Sequence, residues 1–173
     1  MEDLVKRKKV LQRRLKRKKR GSQNQKKAYA RVAKLDRKIA NIRKYYSKMF
    51  ASEIAWDFSV VAVENLNIKN MTKSAKGTIE NPGKNVKAKS GLNRAILNTS
   101  PYFFKQFLKQ KCEESGSILL QVDPKYTSQT CFKCKKVDRE SRVDSKFVCM
   151  SCGHKDNADF NAAKNILFKA KEA

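Results

Sequence analysis

The chain has 173 residues, which is enough for one domain with a hydrophobic core and a smaller attached module, but not for two full domains. Its 41 lysines and arginines against 16 acidic residues give a formal net charge of +25; this excess attracts polyanions and favours nucleic acid as the partner over an anionic membrane or solvent alone. No segment approaches the roughly 20 apolar residues of a membrane span and no secretory signal is present, so we expect a soluble, cytoplasmic protein associated with the nucleoid.

The first 50 residues carry most of the charge and a helical pattern. They contain 20 basic residues and three acids. Gly21 and Ser22 separate two stretches with helical spacing, which predicts a helical hairpin with a coiled-coil-like seam. Its basic outer faces are either solvated surfaces or phosphate contacts. The seam residues are Leu4, Leu11 and Leu15 in the first stretch and Val32, Leu35, Ile39, Ile42, Tyr46 and Met49 in the second.

The middle of the chain predicts two strands, separated by a loop and a helix. The β-branched run SVVAVENL is typical of a buried strand and ends at the carboxylate of Glu64. Residues 69–91 are rich in lysine and glycine and predict a long mobile loop. A helix with Pro101 as its first residue follows, ends near Gly116 and leads to the second strand, SILLQVD. The apolar side of this helix carries Phe103, Phe104, Phe107 and Leu108.

Four of the five cysteines form two CxxC pairs separated by fourteen residues. This spacing is typical of a zinc ribbon, in which four thiolates close a tetrahedral shell around a structural zinc. Iron remains an alternative at such a site, and a redox dithiol or a disulfide would need only one pair. Cys112 is interpreted as a small buried apolar residue. The predicted zinc ligands are Cys131, Cys134, Cys149 and Cys152.

Basic and aromatic side chains surround these cysteines. Lysine and arginine pair with phosphates, and an aromatic ring stacks on an unpaired base. The segment therefore predicts binding to single-stranded or unwound DNA, and no base-reading helix is identifiable. The rings of Phe132 and Phe147 are predicted to belong to the same surface. The predicted contacts are Tyr126, Lys133, Lys135, Lys136, Arg139, Arg142 and Lys146.

Three segments together carry a family resemblance. They are VVAVENLNIKNM, then VDPKYTSQTCFKCKK with RVDSKFVCMSCG, then NADFNAAKNIL, and the last also predicts a terminal helix with Asp159 in its first turn. In this order they resemble the C-terminal half of TnpB, also called OrfB, the insertion-sequence relatives of miniature type V CRISPR effectors. The similarity extends over nearly the whole chain, because the basic hairpin also has a counterpart in that family.

The resemblance implies an α+β fold: a partial RNase H-like (RuvC) domain with a basic N-terminal helical hairpin and an inserted four-cysteine zinc ribbon. It also implies an RNA-guided DNA endonuclease, with guide RNA as a further partner, in which three carboxylates hold two magnesium ions. By motif position Glu64 matches the second carboxylate and Asp159 the third. The expected segments are 1–56 for the hairpin, 57–124 for the RuvC-like strand, loop, helix and strand, 125–155 for the ribbon, and 156–173 for the final RuvC-like helix.

The chain also departs from the family pattern. No strand with a DxG-like turn supplies the first carboxylate, and Asn157 stands where the family often has a further acid; Asp156 is a candidate substitute on the same helical side as Asp159. Lys135 replaces the usual glycine after the second cysteine. We therefore expect a truncated protein that binds zinc and DNA but does not cleave alone. Two alternatives stay open: one part of a split nuclease that needs a missing N-terminal polypeptide, and a basic zinc-containing RNA-binding protein.

Overall fold

The computed structural model describes residues 1–172 and divides the chain into two compact units. The first unit contains Met1–Glu53 and Ser74–Leu108. The second contains Ile54–Lys73 and the described residues from Lys109 onwards. Both units contain helices, and the strands described below lie in the second. The mixed helix and strand content predicted from the sequence is confirmed at this level.

Two helices form the predicted N-terminal hairpin, α1 (Glu2–Lys16) and α2 (Gln23–Asp57). The start of α2 is capped reciprocally. The Ser22 hydroxyl oxygen accepts the Gln25 backbone N–H at 3.1 Å, and the Gln25 side-chain oxygen accepts the Gly21 N–H at 2.7 Å. Gly21 has a φ of 78°, a left-handed conformation that glycine adopts without steric cost. The break in the sequence pattern therefore marks a real turn.

The predicted seam of α2 is correct only along part of the helix. Val32 and Ile39 are buried, as the helical spacing predicts. Tyr46 and Met49 are exposed, so the seam prediction is wrong at these two positions. Met1 shares a surface depression with Tyr46, which shows that α1 begins there. Met49, which follows Tyr46 by three residues, therefore lies beyond the start of α1 and cannot pack against that helix.

The loop predicted for residues 69–91 is wrong at both ends. A short helix, α3 (Ile68–Met71), opens the segment, and its cap is Asn67, whose side-chain oxygen accepts the Asn70 N–H at 3.0 Å. A longer helix, α4 (Val86–Asn98), closes it. No residue of α4 is buried, and its first six residues, VKAKSG, have the polar composition of a loop. Lysine, alanine and arginine are also good helix formers, and this preference accounts for the helix.

The two predicted strands of the second unit pair with each other. Strand β1 (Val60–Glu64) lies parallel to β2 (Ile118–Val122), in register from the first residue of each to the last. Between them in the chain, α5 (Pro101–Ser115) begins at the predicted proline. It ends before Gly116, whose φ of 77° is typical of a residue that terminates a helix. The strand, helix and turn predictions for this region are confirmed.

The end of the chain forms a small sheet and a last helix. Strands β3 (Arg142–Val143), β4 (Lys146–Val148) and β5 (Lys155–Asn157) make an antiparallel three-stranded sheet in the order β3-β4-β5. Helix α6 (Ala158–Glu172) follows directly and contacts both β1 and β2, as well as β4 and β5. The predicted terminal helix is therefore confirmed, and the last residue of the predicted segment 156–173 lies outside the described residues. None of the helices within residues 1–172 combines the length and the apolar character that crossing a membrane requires.

Candidate metal centre and nucleic-acid surface

Each CxxC pair sits in a tight turn closed by backbone hydrogen bonds. The Lys135 N–H donates to the Cys131 carbonyl oxygen at 2.9 Å, and the Gly153 N–H donates to the Cys149 carbonyl oxygen at 3.0 Å. The residue after the second cysteine is left-handed in both turns, with φ of 63° at Lys135 and 68° at Gly153. A side chain in this conformation costs on the order of 1–2 kcal/mol, so the lysine is a strained replacement for glycine.

The side chain of Lys135 contacts two aromatic rings. Its ammonium nitrogen lies 3.6 Å from the ring centre of Phe168 and 4.2 Å from that of Phe132. Cation–π contacts at exposed sites contribute about 0.5–1 kcal/mol each, which offsets much of the backbone strain. The same contacts tie the first cysteine turn to α6, where Phe168 lies.

The two turns bring four thiols together. All four Sγ atoms lie within 4.8 Å of one another. The Cys131 and Cys152 Sγ atoms are 3.8 Å apart, and those of Cys134 and Cys149 are 3.6 Å apart. A tetrahedral shell with zinc–sulfur bonds of about 2.3 Å has sulfur–sulfur separations of about 3.8 Å. The donor set and its spacing therefore fit a tetrahedral metal ion.

Hydrogen bonding and burial act in opposite directions on the thiols. A hydrogen bond from the Cys152 backbone N–H lowers the pKa of the Cys149 thiol to about 6. Burial raises the pKa of Cys131. Because the thiolate is the metal-binding form, Cys149 is prepared for a cation at neutral pH, whereas Cys131 requires the cation to offset its desolvation.

Phe147 forms the core of the ribbon together with the cysteines. It is fully buried and packs with Cys131, Cys149 and Ala158. The prediction that its ring belongs to the nucleic-acid surface is wrong. Side chains alternate along a strand, and in β4 the neighbours of Phe147 are the exposed Lys146 and Val148. The ring therefore points into the ribbon.

Two buried asparagines of α6 hold the residues on either side of the first cysteine, and sequence analysis missed both. The Asn161 side chain accepts the Phe132 N–H at 3.0 Å and donates to the Thr130 carbonyl oxygen at 2.8 Å. The Asn165 side chain donates to the carbonyl oxygens of Thr130 at 2.6 Å and Thr127 at 3.1 Å. Their i, i+4 spacing, which places both on one helix face, is the signal that could have identified them.

Glu64 is connected to this same segment. It ends β1, is half-buried, and its Oε1 accepts a hydrogen bond from the hydroxyl of Thr127. Thr127 is itself 2% exposed, and its carbonyl oxygen is held by Asn165. One chain of hydrogen bonds therefore joins the end of β1, the loop before the cysteines and α6.

Asp159 lies in the first turn of α6, as predicted. Its carboxylate is largely exposed and lies 3.1 Å from an Nη atom of Arg142 in β3. The helix is capped by Asn157, whose side-chain oxygen accepts the backbone N–H groups of Asp159 at 2.8 Å and Phe160 at 3.3 Å. Asn157 therefore has a structural role at the helix start, where its amide can satisfy backbone donors.

Asp156 does not share a helical side with Asp159. It lies in β5, and its carboxylate binds the Lys164 ammonium at 2.6 Å, which lowers the pKa of Asp156. That expectation is wrong because α6 begins only at Ala158. Glu64 and Asp159 lie on elements that contact each other. Within residues 1–172, however, the four cysteines are the only group of three or more histidine, cysteine, aspartate or glutamate side chains whose ligand atoms are close enough to bind one metal ion.

The residues predicted to contact nucleic acid differ in their exposure to solvent and in their contacts with other side chains. Tyr126 is 51% exposed at the start of the ribbon. Arg142 is half-buried against Asp159, and Lys135 covers two rings. Among the predicted contacts, the exposed basic residues are Lys133, Lys135, Lys136, Arg139 and Lys146.

The hydroxyl of Thr127 is expected to stabilise the second unit by its hydrogen bond to Glu64. Thr127→Val keeps the side-chain volume but leaves the carboxylate without this donor, so we expect a loss of about 1–3 kcal/mol in the free energy of unfolding. Thr127→Ser retains the hydroxyl and serves as the matched control. Urea denaturation followed by circular dichroism measures both, and a valine variant as stable as the serine variant would contradict the assignment.

Comparison with known families finds matches over both ends of the chain. A family model described as "Cas12f1-like, TNB domain" matches residues 102–166. A second, OrfB_IS605, described as "Probable transposase", matches residues 2–75. The four cysteines and Asp159 fall within the first range, and the hairpin, β1 and Glu64 fall within the second.

Individual relatives agree with these matches. The "Putative RNA-guided DNA endonuclease InsQ" of Escherichia coli (strain K12) is 42% identical over 158 residues, which cover 91% of this chain and 39% of that protein. The CRISPR-associated endodeoxyribonuclease Cas12f1 of Sulfoacidibacillus thermotolerans is 40% identical over 75 residues, 43% of this chain and 18% of that protein. A Cas12f1 protein solved by cryo-EM with sgRNA and target DNA is similar in structure, with a TM-score of 0.62, 26% identity, and coverage of 95% of this chain and 40% of that one. The chain thus spans less than half the length of each of these relatives.

Proposed function

Since the chain belongs to the TnpB/OrfB family, the group of transposases and RNA-guided nucleases related to Cas12f1, we propose that it binds DNA through a ribbon folded around zinc and contributes two carboxylates to a nuclease centre. The observation that supports this most directly is the series of hydrogen bonds that runs from Glu64 through Thr127 and Asn165 to Thr130, the residue before the first cysteine of the cluster. These hydrogen bonds connect the metal-binding ribbon to the acidic side chain of Glu64.

In this proposal the four cysteines hold a structural zinc, because four thiolates leave no open position for substrate. The exposed lysines and arginine of the ribbon bind phosphates, and Tyr126 stacks on an unpaired base. Single-stranded or unwound DNA is the proposed target, and guide RNA is a further proposed partner. The four segments expected from the sequence, hairpin, RuvC-like part, ribbon and final helix, remain our proposed division of the chain.

Glu64 and Asp159 are the proposed magnesium ligands of a RuvC-like centre. Carboxylates suit magnesium, which prefers oxygen ligands, and a metal pair supports phosphodiester hydrolysis by activating water and stabilising the leaving oxygen. Their positions, at the end of β1 and in the first turn of a helix that packs on β1 and β2, support this role. Two carboxylates hold a metal pair poorly, so we expect the 173 residues alone not to cleave DNA.

We predict that purified protein with magnesium leaves labelled single-stranded DNA intact while binding it. Glu64→Gln should bind DNA as the unaltered protein does, because the substitution leaves the ribbon's basic groups in place. Gel analysis of the labelled strand and fluorescence anisotropy measure the two properties. Glu80→Gln, a change of the same kind in the exposed segment before α4, is the control.

Cutting by the protein alone that disappears in Glu64→Gln but persists in Glu80→Gln would overturn the expected lack of activity. Cutting that appears only after a separate N-terminal polypeptide is added would favour the split-nuclease alternative. Tight binding to ribosomal RNA that ignores both Glu64→Ala and Asp159→Ala would favour the RNA-binding alternative.

A further inference from the structure

A second basic feature lies in the first unit, on the N-terminal hairpin. Helices α1 and α2 enclose an open groove of about 700 Å³. Three of its lining residues are apolar: Val10, Leu11 and Leu35. All the other side chains that line it are cationic: Arg7, Arg14, Arg31, Lys34 and Lys38.

The charge in this groove is not neutralised within the protein. No carboxylate lines it, and none of its five cations forms an ion pair among the described residues 1–172. Another groove of the same hairpin differs, because Asp36 lines it and forms an ion pair with Lys8. Five like charges around one groove repel one another unless an anion lies between them. The asymmetry therefore points to an anionic occupant on one side of the hairpin only.

The spacing of the cations fits an extended polyanion rather than a single small anion. Arg7 and Arg14 are seven residues apart on α1, and Arg31 and Lys38 are seven apart on α2. Seven residues of α-helix rise about 10 Å. Successive phosphates of one strand lie farther apart than the roughly 3.4 Å by which the strand advances along the duplex axis, because the backbone also winds around that axis. Each row of cations therefore spans about two or three successive phosphates.

We propose that the groove between α1 and α2 is a binding site for the sugar–phosphate backbone of a nucleic acid strand, with the five cations contacting about two or three successive phosphates. Arginines donate paired hydrogen bonds to phosphate oxygens, and the lysines act as point charges. No base edge is read, so the site is indifferent to sequence. It rests on the proposed nucleic-acid binding but places a second contact in a different unit from the ribbon.

The test compares two triple variants that each remove two arginines and one lysine. The groove variant is Arg7→Gln, Arg14→Gln and Lys34→Gln. The control variant is Arg13→Gln, Lys27→Gln and Arg37→Gln, which changes exposed residues outside this groove on the same helices. Glutamine has a helix propensity similar to those of arginine and lysine, so neither variant should lose its helices. Both keep the same net charge, and a purely global effect of charge would weaken binding equally.

Binding is measured by fluorescence anisotropy against a short RNA duplex, a DNA duplex of the same sequence and a single DNA strand, each over a range of salt concentrations. The groove variant should bind about 30-fold more weakly at moderate salt, against less than about threefold for the control, and its slope of log affinity against log salt should fall by about 2–3. The largest groove-dependent loss among the three probes identifies the strand type. Equal losses in the two variants would overturn the proposal, as would tighter binding of inorganic polyphosphate than of any nucleic acid.

Three further measurements distinguish a loss of phosphate contacts at this site from a loss of structure and from binding by the ribbon. Arg7→Lys with Arg14→Lys keeps the charge and should retain the salt slope, and a slope as low as that of the groove variant would contradict phosphate contacts. Because the groove cations repel one another, the Tm of the free groove variant should rise more than that of the control; a fall below the control would contradict the proposal. If chelating the ribbon's metal leaves the affinity for nucleic acid unchanged while the groove variant still binds more weakly, the proposed role of the ribbon is wrong and that of the groove is supported. If chelation lowers the affinity but the groove variant binds as the control does, only the proposed role of the groove is wrong.

Discussion

Removal of the ribbon's metal is expected to unfold residues from Tyr126 to Lys155 and to release bound DNA. Apart from the hydrogen bonds from Asn161 and Asn165, the ribbon has little else to hold it, because its buried cluster consists of Phe147, cysteines and Ala158. Structural zinc contributes roughly 10–16 kcal/mol at neutral pH in small zinc modules, more than such a core can replace. Circular dichroism and fluorescence anisotropy with a labelled DNA strand, recorded before and after chelation, measure the two effects.

A matched pair of cysteine variants tests the same point without chelator. Cys131→Ser removes one ligand from the cluster and should lower metal content, ribbon stability and DNA affinity together. Cys112→Ala changes the one cysteine outside the cluster, which is buried in α5, and should leave metal content intact. DNA affinity that survives complete loss of metal would show that the ribbon is not the binding platform.

Replacement of Asn161 by alanine is expected to destabilise the second unit by about 3 kcal/mol. Asn161 is completely buried and makes hydrogen bonds with Phe132 and Thr130. Alanine leaves the Phe132 N–H without its partner in a buried place, and each unsatisfied buried group costs about 1–3 kcal/mol. Because this segment leads directly into Cys131, metal affinity should fall as well. Urea denaturation and competition with a chromogenic chelator measure the two losses.

Asn41→Ala is the control for this change. Asn41 is exposed on α2, so its replacement should alter stability by less than about 0.5 kcal/mol. Equal stabilities of the two alanine variants would contradict the role assigned to the buried amide. Asn165→Ala should behave like Asn161→Ala, because Asn165 donates to the same Thr130 carbonyl.

Local patterns predicted most of the elements correctly, and their errors have a common cause. Hydrophobic spacing, the glycine breaks and Pro101 identified the hairpin, both strands and the terminal helix. The first six residues of α4 were included in the predicted loop, since residues 86–91 contain mainly lysine, serine and glycine and most apolar residues of the helix come later. The seam was extended to Tyr46 and Met49 because the periodicity of α2 does not reveal where its partner helix begins.

For the candidate site too, short sequence spacing predicted some features, and others depended on packing. The CxxC spacing alone predicted which four cysteines would come together, and the structure gathers their sulfur atoms within 4.8 Å. Phe147 was predicted to be on the surface, although it forms the ribbon's core. The roles of Asn161 and Asn165 were missed, because a polar residue in a helix is normally expected to face solvent.

The sequence by itself determined the charge, the helical and strand segments, the cysteine cluster and the family resemblance, since each depends on residue type and short spacing. Only the tertiary structure decided that Thr127 binds Glu64, that Arg142 pairs with Asp159, and that two asparagines of α6 hold the residues on either side of Cys131. These contacts join residues 17–63 positions apart in the chain. A buried polar group is stable only where its partner is also buried, and no local pattern specifies which distant residue that partner will be.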